Sequence, residues 1–278
     1  MSASERREPS DRVRQNRRLV IALSLSAVLL AAGVVVIGAV AGGSSGDAAG
    51  GASGAASDFA DATATETPAA RPSPAAPPAP AVVDTFDRTA HSIDDPTSTW
   101  VVVNKLRPLN PQDFEPDDLV DVPVEHTNEP QLRQEASDAL VEMFDAAFDE
   151  AGLELASNSA YRSYSAQENV YDGDDLTTAR PGYSEHQTGL TMDIGAVSGE
   201  CSLDECFGDT DEGIWLRDNA WRFGFILRYP ADKTAITGYS FEPWHFRYTG
   251  VGLTSKMHDT GITTLEEFFG LPPAPDYE

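Results

Sequence analysis

Few of the residues that build small stapled scaffolds or nucleic-acid-binding surfaces are present in this chain. It has only two cysteines, Cys201 and Cys206, in 278 residues, which excludes a multi-disulfide framework and a Cys-rich zinc scaffold. Basic residues are also scarce: 19 Lys and Arg stand against 45 Asp and Glu, for a net charge of −26. A surface of that sign repels phosphate backbones, so nucleic acid is excluded as a partner class. The charge favours solubility and is silent about the fold. No internal repeat with a period of about 20–50 residues is visible, which excludes a solenoid.

The charge is unevenly spread. Residues 1–18 hold six arginines and three acids, a local balance of +3, so the remainder carries −29. Behind those arginines runs Leu19 to Ala41, 23 residues without a charge, enough for a bilayer-spanning helix of about 20 residues. Arginines stay on the cytoplasmic side, so the C-terminal part is expected outside the cytoplasm behind a single-pass anchor. The competing reading is a cleaved signal peptide, for which Ala39-Val40-Ala41 offers a small-residue site. The run, however, exceeds the roughly 7–15 residues of a signal core. Residues 42–81 are Gly-, Ala-, Ser- and Pro-rich and read as a spacer that cannot bury a core. Residues 82–278 then form one domain. In that compartment Cys201 and Cys206 are expected to pair with each other.

Within the domain the pattern is mixed. Trp100–Leu109 reads as a β-branched strand running into a loop. Asn128-Glu129-Pro130 marks a helix start, and Leu132, Ala136, Leu140, Met143, Phe144, Ala147 and Phe148 recur at helical spacing up to Gly152. Residues 153–163 read as a strand. Asp211 to about Phe223 reads as a helix capped by Gly224, and Leu265–Phe269 as a short final helix. FILRYP (225–230) and ITGYSFEPWHFRY (236–248) read as two further strands. The expected fold class is α+β, a small antiparallel sheet flanked by helices with a metal site in a cleft.

Two stretches carry chemistry. Residues 183–195, YSEHQTGLTMDIG, hold His186 and Asp193; residues 241–248, FEPWHFRY, hold Glu242 and His245. A catalytic zinc takes three protein ligands and keeps one place open. Two imidazoles and one carboxylate fill that quota, and the second carboxylate is left to act as base. Alternation along Leu190–Ile194 places Thr191 and Asp193 on one face and Leu190, Met192 and Ile194 on the other. A carboxylate there needs a partner or a metal. Glu185 adjoins His186, so its side chain is expected to point elsewhere. Pro243 keeps Glu242 out of the α region, so Glu242 and His245 are not stacked on a helix. His91, His126 and His258 stand in polar contexts and read as solvated or capping residues. Arg162, between Tyr161 and Tyr164 after a strand, is placed for a bidentate contact with a carboxylate or an oxyanion.

The segments SAYRSY, PGYSEHQTGLTMDIG, GFILRYP and ITGYSFEPWHFRYTG together resemble the VanY-type D-alanyl-D-alanine carboxypeptidases of the M15 metallopeptidases. The resemblance covers roughly residues 100–253, about half the chain. Through the SxHxxGxAxD motif it implies zinc ligands at His186 and Asp193, and through ExxH a base at Glu242 and a third ligand at His245. It implies that Arg162 binds and polarises substrate, that Ser184 contacts it, and that Gln167 lines the pocket. Thr191 departs from the family's usual Ala, and the CSLDEC insert and long linker look peculiar to this chain. They leave the quartet untouched and put substrate length in question.

The implied activity is removal of the terminal D-Ala from peptidoglycan stem peptides by a membrane-tethered, extracytoplasmic monomer. The alternatives are a related dipeptidase or endopeptidase, or a non-catalytic zinc- or wall-binding module. Free dipeptide is mainly cytoplasmic, which argues against the first. Retention of Glu242 argues against the last, because a closed structural site needs no base.

Overall fold

The apolar periodicity beginning at Leu132 becomes helical later than its spacing suggests. In the computed structural model, which describes residues 85–278, Gln131–Arg133 is instead a strand, β2, paired antiparallel with β1, Leu119–Asp121. Helix α1 follows directly, from Gln134 to Ala151. Arg133 keeps extended dihedrals, and its N–H donates to the Gly189 carbonyl, so the backbone is engaged there before the helix can start. The far end is as the sequence indicates: Gly152 takes φ 70 and donates to the Ala147 and Phe148 carbonyls. The helix buries Ala136, Leu140, Met143, Phe144 and Ala147, and each large apolar side chain contributes about 1.5–3 kcal/mol relative to exposure.

The remaining elements are β3 (Leu155–Ser159), α2 (Tyr164–Val170), β4 (Thr191–Ala196) and α3 (Asp211–Asn219), then β5 (Phe225–Leu227), α4 (Thr234–Thr237), β6 (His245–Tyr248), α5 (Val251–Thr260) and α6 (Leu265–Phe269). Four strands make an antiparallel sheet in the order β3-β4-β6-β5, so the α+β class with small antiparallel sheets holds. All of β4 and β6 is buried. Leu190, Met192 and Ile194 enter the main core with Phe246, which leaves Thr191 and Asp193 on the opposite face, as alternation requires.

Two further expectations need correction, and one helix was not anticipated. Trp100–Leu109, buried from Trp100 to Lys105, joins no sheet; among the described residues it makes only the isolated bridge Asn104–Arg107. Its side chains alternate between two cores, with Val101 and Val103 in one and Trp100 and Val102 in the other. Arginine side chains stand in for a neighbouring strand: Arg247 donates to the Thr99 and Val101 carbonyls, and Arg107 to that of Val102. Residues 236–244 are not a strand, because Thr234–Thr237 coils into α4 and Gly238 reverses the chain at φ 83. A Cβ at Gly238 would stand 2.4 Å from the Ala274 carbonyl oxygen, so the turn also needs glycine for space. Helix α5, finally, has a weak apolar stripe and no sequence signal strong enough to mark it.

The arginine-rich tail (1–18), the apolar run Leu19–Ala41 and the spacer 42–81 lie outside the described residues. Among the described residues, no helix is long and apolar enough to cross a membrane.

Candidate metal centre

Strand pairing brings the separated motifs together. β4 and β6 run antiparallel with Asp193 directly opposite His245, so two residues 52 positions apart (245 − 193) become cross-strand neighbours. His186 arrives on a single 3₁₀ turn, Glu185–Thr188, that leads into β4 through Gly189 at φ 67. A Cβ on Gly189 would come within 2.9 Å of Leu119 and 3.0 Å of Arg133, so both the conformation and the close approach require glycine. Glu242 is held by its N–H to the Tyr229 carbonyl, and the His245 N–H donates back to the Glu242 carbonyl. This turn, not a helix, places the base candidate three residues before the ligand candidate.

His186 Nε2 lies 3.2 Å from Asp193 Oδ2, and His245 Nδ1 lies 3.3 Å from Asp193 Oδ1. One donor atom from each of the three residues falls within 4.8 Å of the others. Zinc bonds of about 2.0–2.1 Å in a tetrahedron place neighbouring ligand atoms about 3.4 Å apart, so the spacing suits that ion. Asp193 Oδ1 is buried and, despite the 3.3 Å approach of His245, makes no hydrogen bond. A buried carboxylate set between two imidazoles, with one oxygen left without a hydrogen bond, fits a cation ligand. Glu242 Oε2 stands 3.4 Å from His245 Nδ1, on the same side.

The electrostatics agree. Burial would raise the Asp193 carboxyl, but His186 and His245 outweigh it and hold the group well below the usual carboxylate range. Burial would lower His245; the close Asp193 and Glu185 carboxylates, with Glu242 beyond them, push it up to about 9. Burial dominates at His186 and lowers it, against the pull of Asp193. Glu242 is pushed up to about 8, mainly by burial and further by Asp193. A divalent cation bound here would displace the protons that burial favours on Glu242 and that the carboxylates favour on His245.

The remaining candidates line the same cleft, about 200 Å³ in volume: Arg162, Gln167, Ser184 and the quartet. The Arg162 guanidinium is half-buried, and among the described residues no carboxylate pairs with it. Burial lowers its pKa, and Asp193 and Glu242 partly restore it. Gln167 Nε2 donates to the Ala179 carbonyl at 2.7 Å, which leaves its buried Oε1 without a partner in the cleft. A separate hollow of about 170 Å³ beside Pro116 and Arg133 has no such constellation. His91 and His258 rest against Trp100 and Trp221, and His126 Nδ1 is 2.8 Å from the Val124 carbonyl oxygen, all away from the centre.

Sequence reasoning passed over several cleft residues. Tyr229 packs its ring 4.6 Å from that of His245 and lines the cleft with Tyr239. Glu185 does turn away from His186, and its destination is His245, with Oε2 3.4 Å from Nε2. The cysteines are bonded to each other, and their loop is no bystander. Leu203, in the left-handed region at φ 53, lines the cleft while remaining 49% exposed. Nothing in the spelling CSLDEC marks Leu203 as a cleft residue.

This combination of an α+β scaffold, a buried His-Asp-His cluster and an adjoining carboxylate in a cleft defines a metallopeptidase. The family model for VanY, D-alanyl-D-alanine carboxypeptidase, matches residues 129–251. The Bacillus subtilis (strain 168) protein YodJ is 44% identical over 192 residues, covering 64% of this chain and 69% of YodJ. The solved LD-carboxypeptidase LdcB is 44% identical with a TM-score of 0.59, over 63% of this chain and 87% of that one. A variant of the vancomycin-resistance D,D-pentapeptidase VanY from a VanB-type cassette, solved with Zn(II), is 32% identical with a TM-score of 0.52, over 62% and 98%. The chain belongs to the VanY family of D-alanyl-D-alanine carboxypeptidases.

Proposed function

We propose that this chain is a zinc-dependent D,D-carboxypeptidase that removes the terminal D-alanine from peptidoglycan stem peptides, with His186, Asp193 and His245 as metal ligands and Glu242 as general base. One observation carries the reading: a three-residue ligand set, a second carboxylate beside it and a guanidinium with no carboxylate partner share one cleft. When bound, zinc supplies a Lewis acid for the scissile carbonyl and the attacking water, and its charge favours the carboxylate form of Glu242. Glu242 accepts a proton as the water oxygen bonds to the carbonyl carbon, then delivers it to the departing amine as the C–N bond breaks. Arg162 pairs with the substrate's terminal carboxylate, Ser184 contacts the peptide, and Gln167 Oε1 accepts from a substrate N–H.

The site belongs to one chain and needs no second copy, so we read the enzyme as a monomer. We place it outside the cytoplasm on a single-pass anchor. The charge asymmetry around Leu19–Ala41, the disulfide and the location of the substrate all support this. A topology test follows: protease added to intact cells should remove the domain, and protection of it would overturn the placement.

A second reading, L,D-carboxypeptidase action on tetrapeptides, is supported by the 44% identity to LdcB. Purified protein offered tripeptide, tetrapeptide and pentapeptide stems separates the two. D-Alanine release from pentapeptide, abolished by chelator and restored by zinc, supports the first. Release from tetrapeptide alone supports the second. Zinc binding without turnover of any stem would leave a binding module.

A further inference from the structure

Behind the metal centre lies a closed set of charges that the reaction does not use. The side chains of Glu185, Arg228, Arg247 and Glu266 are all fully buried. Glu185 Oε1 accepts from Arg228 Nε at 2.8 Å and from Arg247 at 3.2 Å. Arg228 holds Glu266 in a two-pronged contact at 3.0 and 2.7 Å, and Asn104 Nδ2 donates to the same carboxylate at 2.9 Å. Two carboxylates and two guanidinium groups sum to zero, so the set adds no net charge beside the metal centre. Its other product is geometric. With Oε1 clamped by two guanidinium groups, Glu185 cannot rotate, and its free Oε2 stands 3.4 Å from His245 Nε2.

The two histidines present opposite nitrogens. His186 Nδ1 faces the Ala160 carbonyl oxygen at 2.7 Å, which leaves Nε2 toward Asp193. His245 is reversed: Nδ1 faces Asp193, and Nε2 faces Glu185. An imidazole that ligates through Nδ1 must carry its proton on Nε2 and needs an acceptor there. Stability alone gives this set a weak rationale, because buried ion pairs are often replaceable by apolar groups without loss. An apolar replacement could not accept the Nε2 proton.

We propose that Glu185 is the positioning residue of His245, and that Arg228 and Glu266 extend its support to α6. The inference rests on the zinc reading above. It reaches beyond the segment matched to the family, because Asn104 and Glu266 both lie outside residues 129–251.

The test uses the zinc-loaded protein with ¹⁵N-labelled histidine. The spectrum of the wild type should show His245 metallated at Nδ1 and protonated at Nε2. In chelator competition, Glu185→Gln should weaken zinc affinity about 10- to 100-fold. Glu266→Gln should shift it in the same direction by less. Both titrations are run at a temperature where circular dichroism shows the variants folded, so a purely structural role would lower the melting temperature and leave affinity unchanged. Unchanged affinity in a folded Glu185→Gln protein, or metal on Nε2 of His245 in the wild type, overturns the inference while the zinc reading stands. A wild type that binds no zinc sinks both. If Glu185→Gln does not fold, the wild-type spectrum still decides.

Discussion

Replacing Glu242 by glutamine should cut turnover sharply and, in chelator-stripped protein, increase stability in a pH-dependent way. Glu242 is 7% exposed, and its nearest cationic partner is His245 Nδ1 at 3.4 Å. Burial pushes its carboxyl from an ordinary 4.5 up to about 8. The folded state therefore holds a proton that the unfolded chain has already released across that window. Stability must fall as pH rises from 4.5 towards 8. At about 1.4 kcal/mol per pH unit, this group's contribution reaches about 4 kcal/mol by pH 8. Glutamine has nearly the same shape and no such proton. Wild type and Glu242→Gln should thus unfold alike near pH 4.5, and the variant should gain several kcal/mol by pH 8. Urea denaturation of chelator-stripped protein at pH 5, 6.5 and 8 measures the difference. D-Alanine release by the zinc-loaded variant should drop about 10²- to 10⁴-fold, the usual range for a lost general base. Parallel stability profiles for the two proteins, or near-normal turnover by the variant, would refute the assignment.

Other consequences are simpler to state. Arg162→Ala should lower kcat/KM by roughly 10- to 150-fold, the equivalent of one charge-assisted hydrogen bond of about 1.5–3 kcal/mol, and should spare a substrate amidated at its C-terminus; equal losses on both substrates would show that Arg162 does not read the carboxylate. Exchanging Cys201 and Cys206 together for serine removes a cross-link between residues five apart. The closed-loop entropy is worth about 2 kcal/mol, so a thermal melt should move down, and KM should rise as Leu203 loses its fixed place in the cleft. Gly213→Ala would put a Cβ 1.9 Å from the Phe207 carbonyl oxygen. That backbone cannot yield like a side-chain tip, and the expected loss is about 1–3 kcal/mol or more by urea titration.

The site is built on the most deeply packed strands. Asp193 and His245 share a ladder whose other faces are sealed by Met192, Ile194 and Phe246. Other cleft-lining residues belong to irregular chain: Arg162 lies between β3 and α2, Ser184 just before the 3₁₀ turn, and Leu203 in the disulfide loop. A site seated on rigid strands with walls of irregular chain is the common arrangement of scaffold and binding loops. Gly208, two residues past Cys206, lies so close to Phe241 and Pro243 that an added Cβ would stand 3.1 and 3.3 Å from them, which sets the chain after the disulfide against the segment bearing Glu242.

Much of this protein was legible one residue at a time. Helix α1 declared itself through its apolar spacing and Gly152, and the β4 alternation separated Asp193 from the core residues beside it. Those signals are local: each depends on dihedrals and periodicity within a dozen residues. The quartet was nameable because its residue types are the ones zinc hydrolysis requires, and the motif order added the rest. What tertiary structure alone decided is everything that depends on partners distant in the chain. Val101 and Val102 could not reveal that arginine side chains, not a strand, would satisfy their carbonyls. Glu185 could not reveal that it serves His245, 60 positions on, in place of its neighbour His186. Leu203 could not show that it faces the cleft. A side chain's chemistry is written in the sequence, but its neighbours are set by strand register and buried charge pairing, and these are properties of the whole fold.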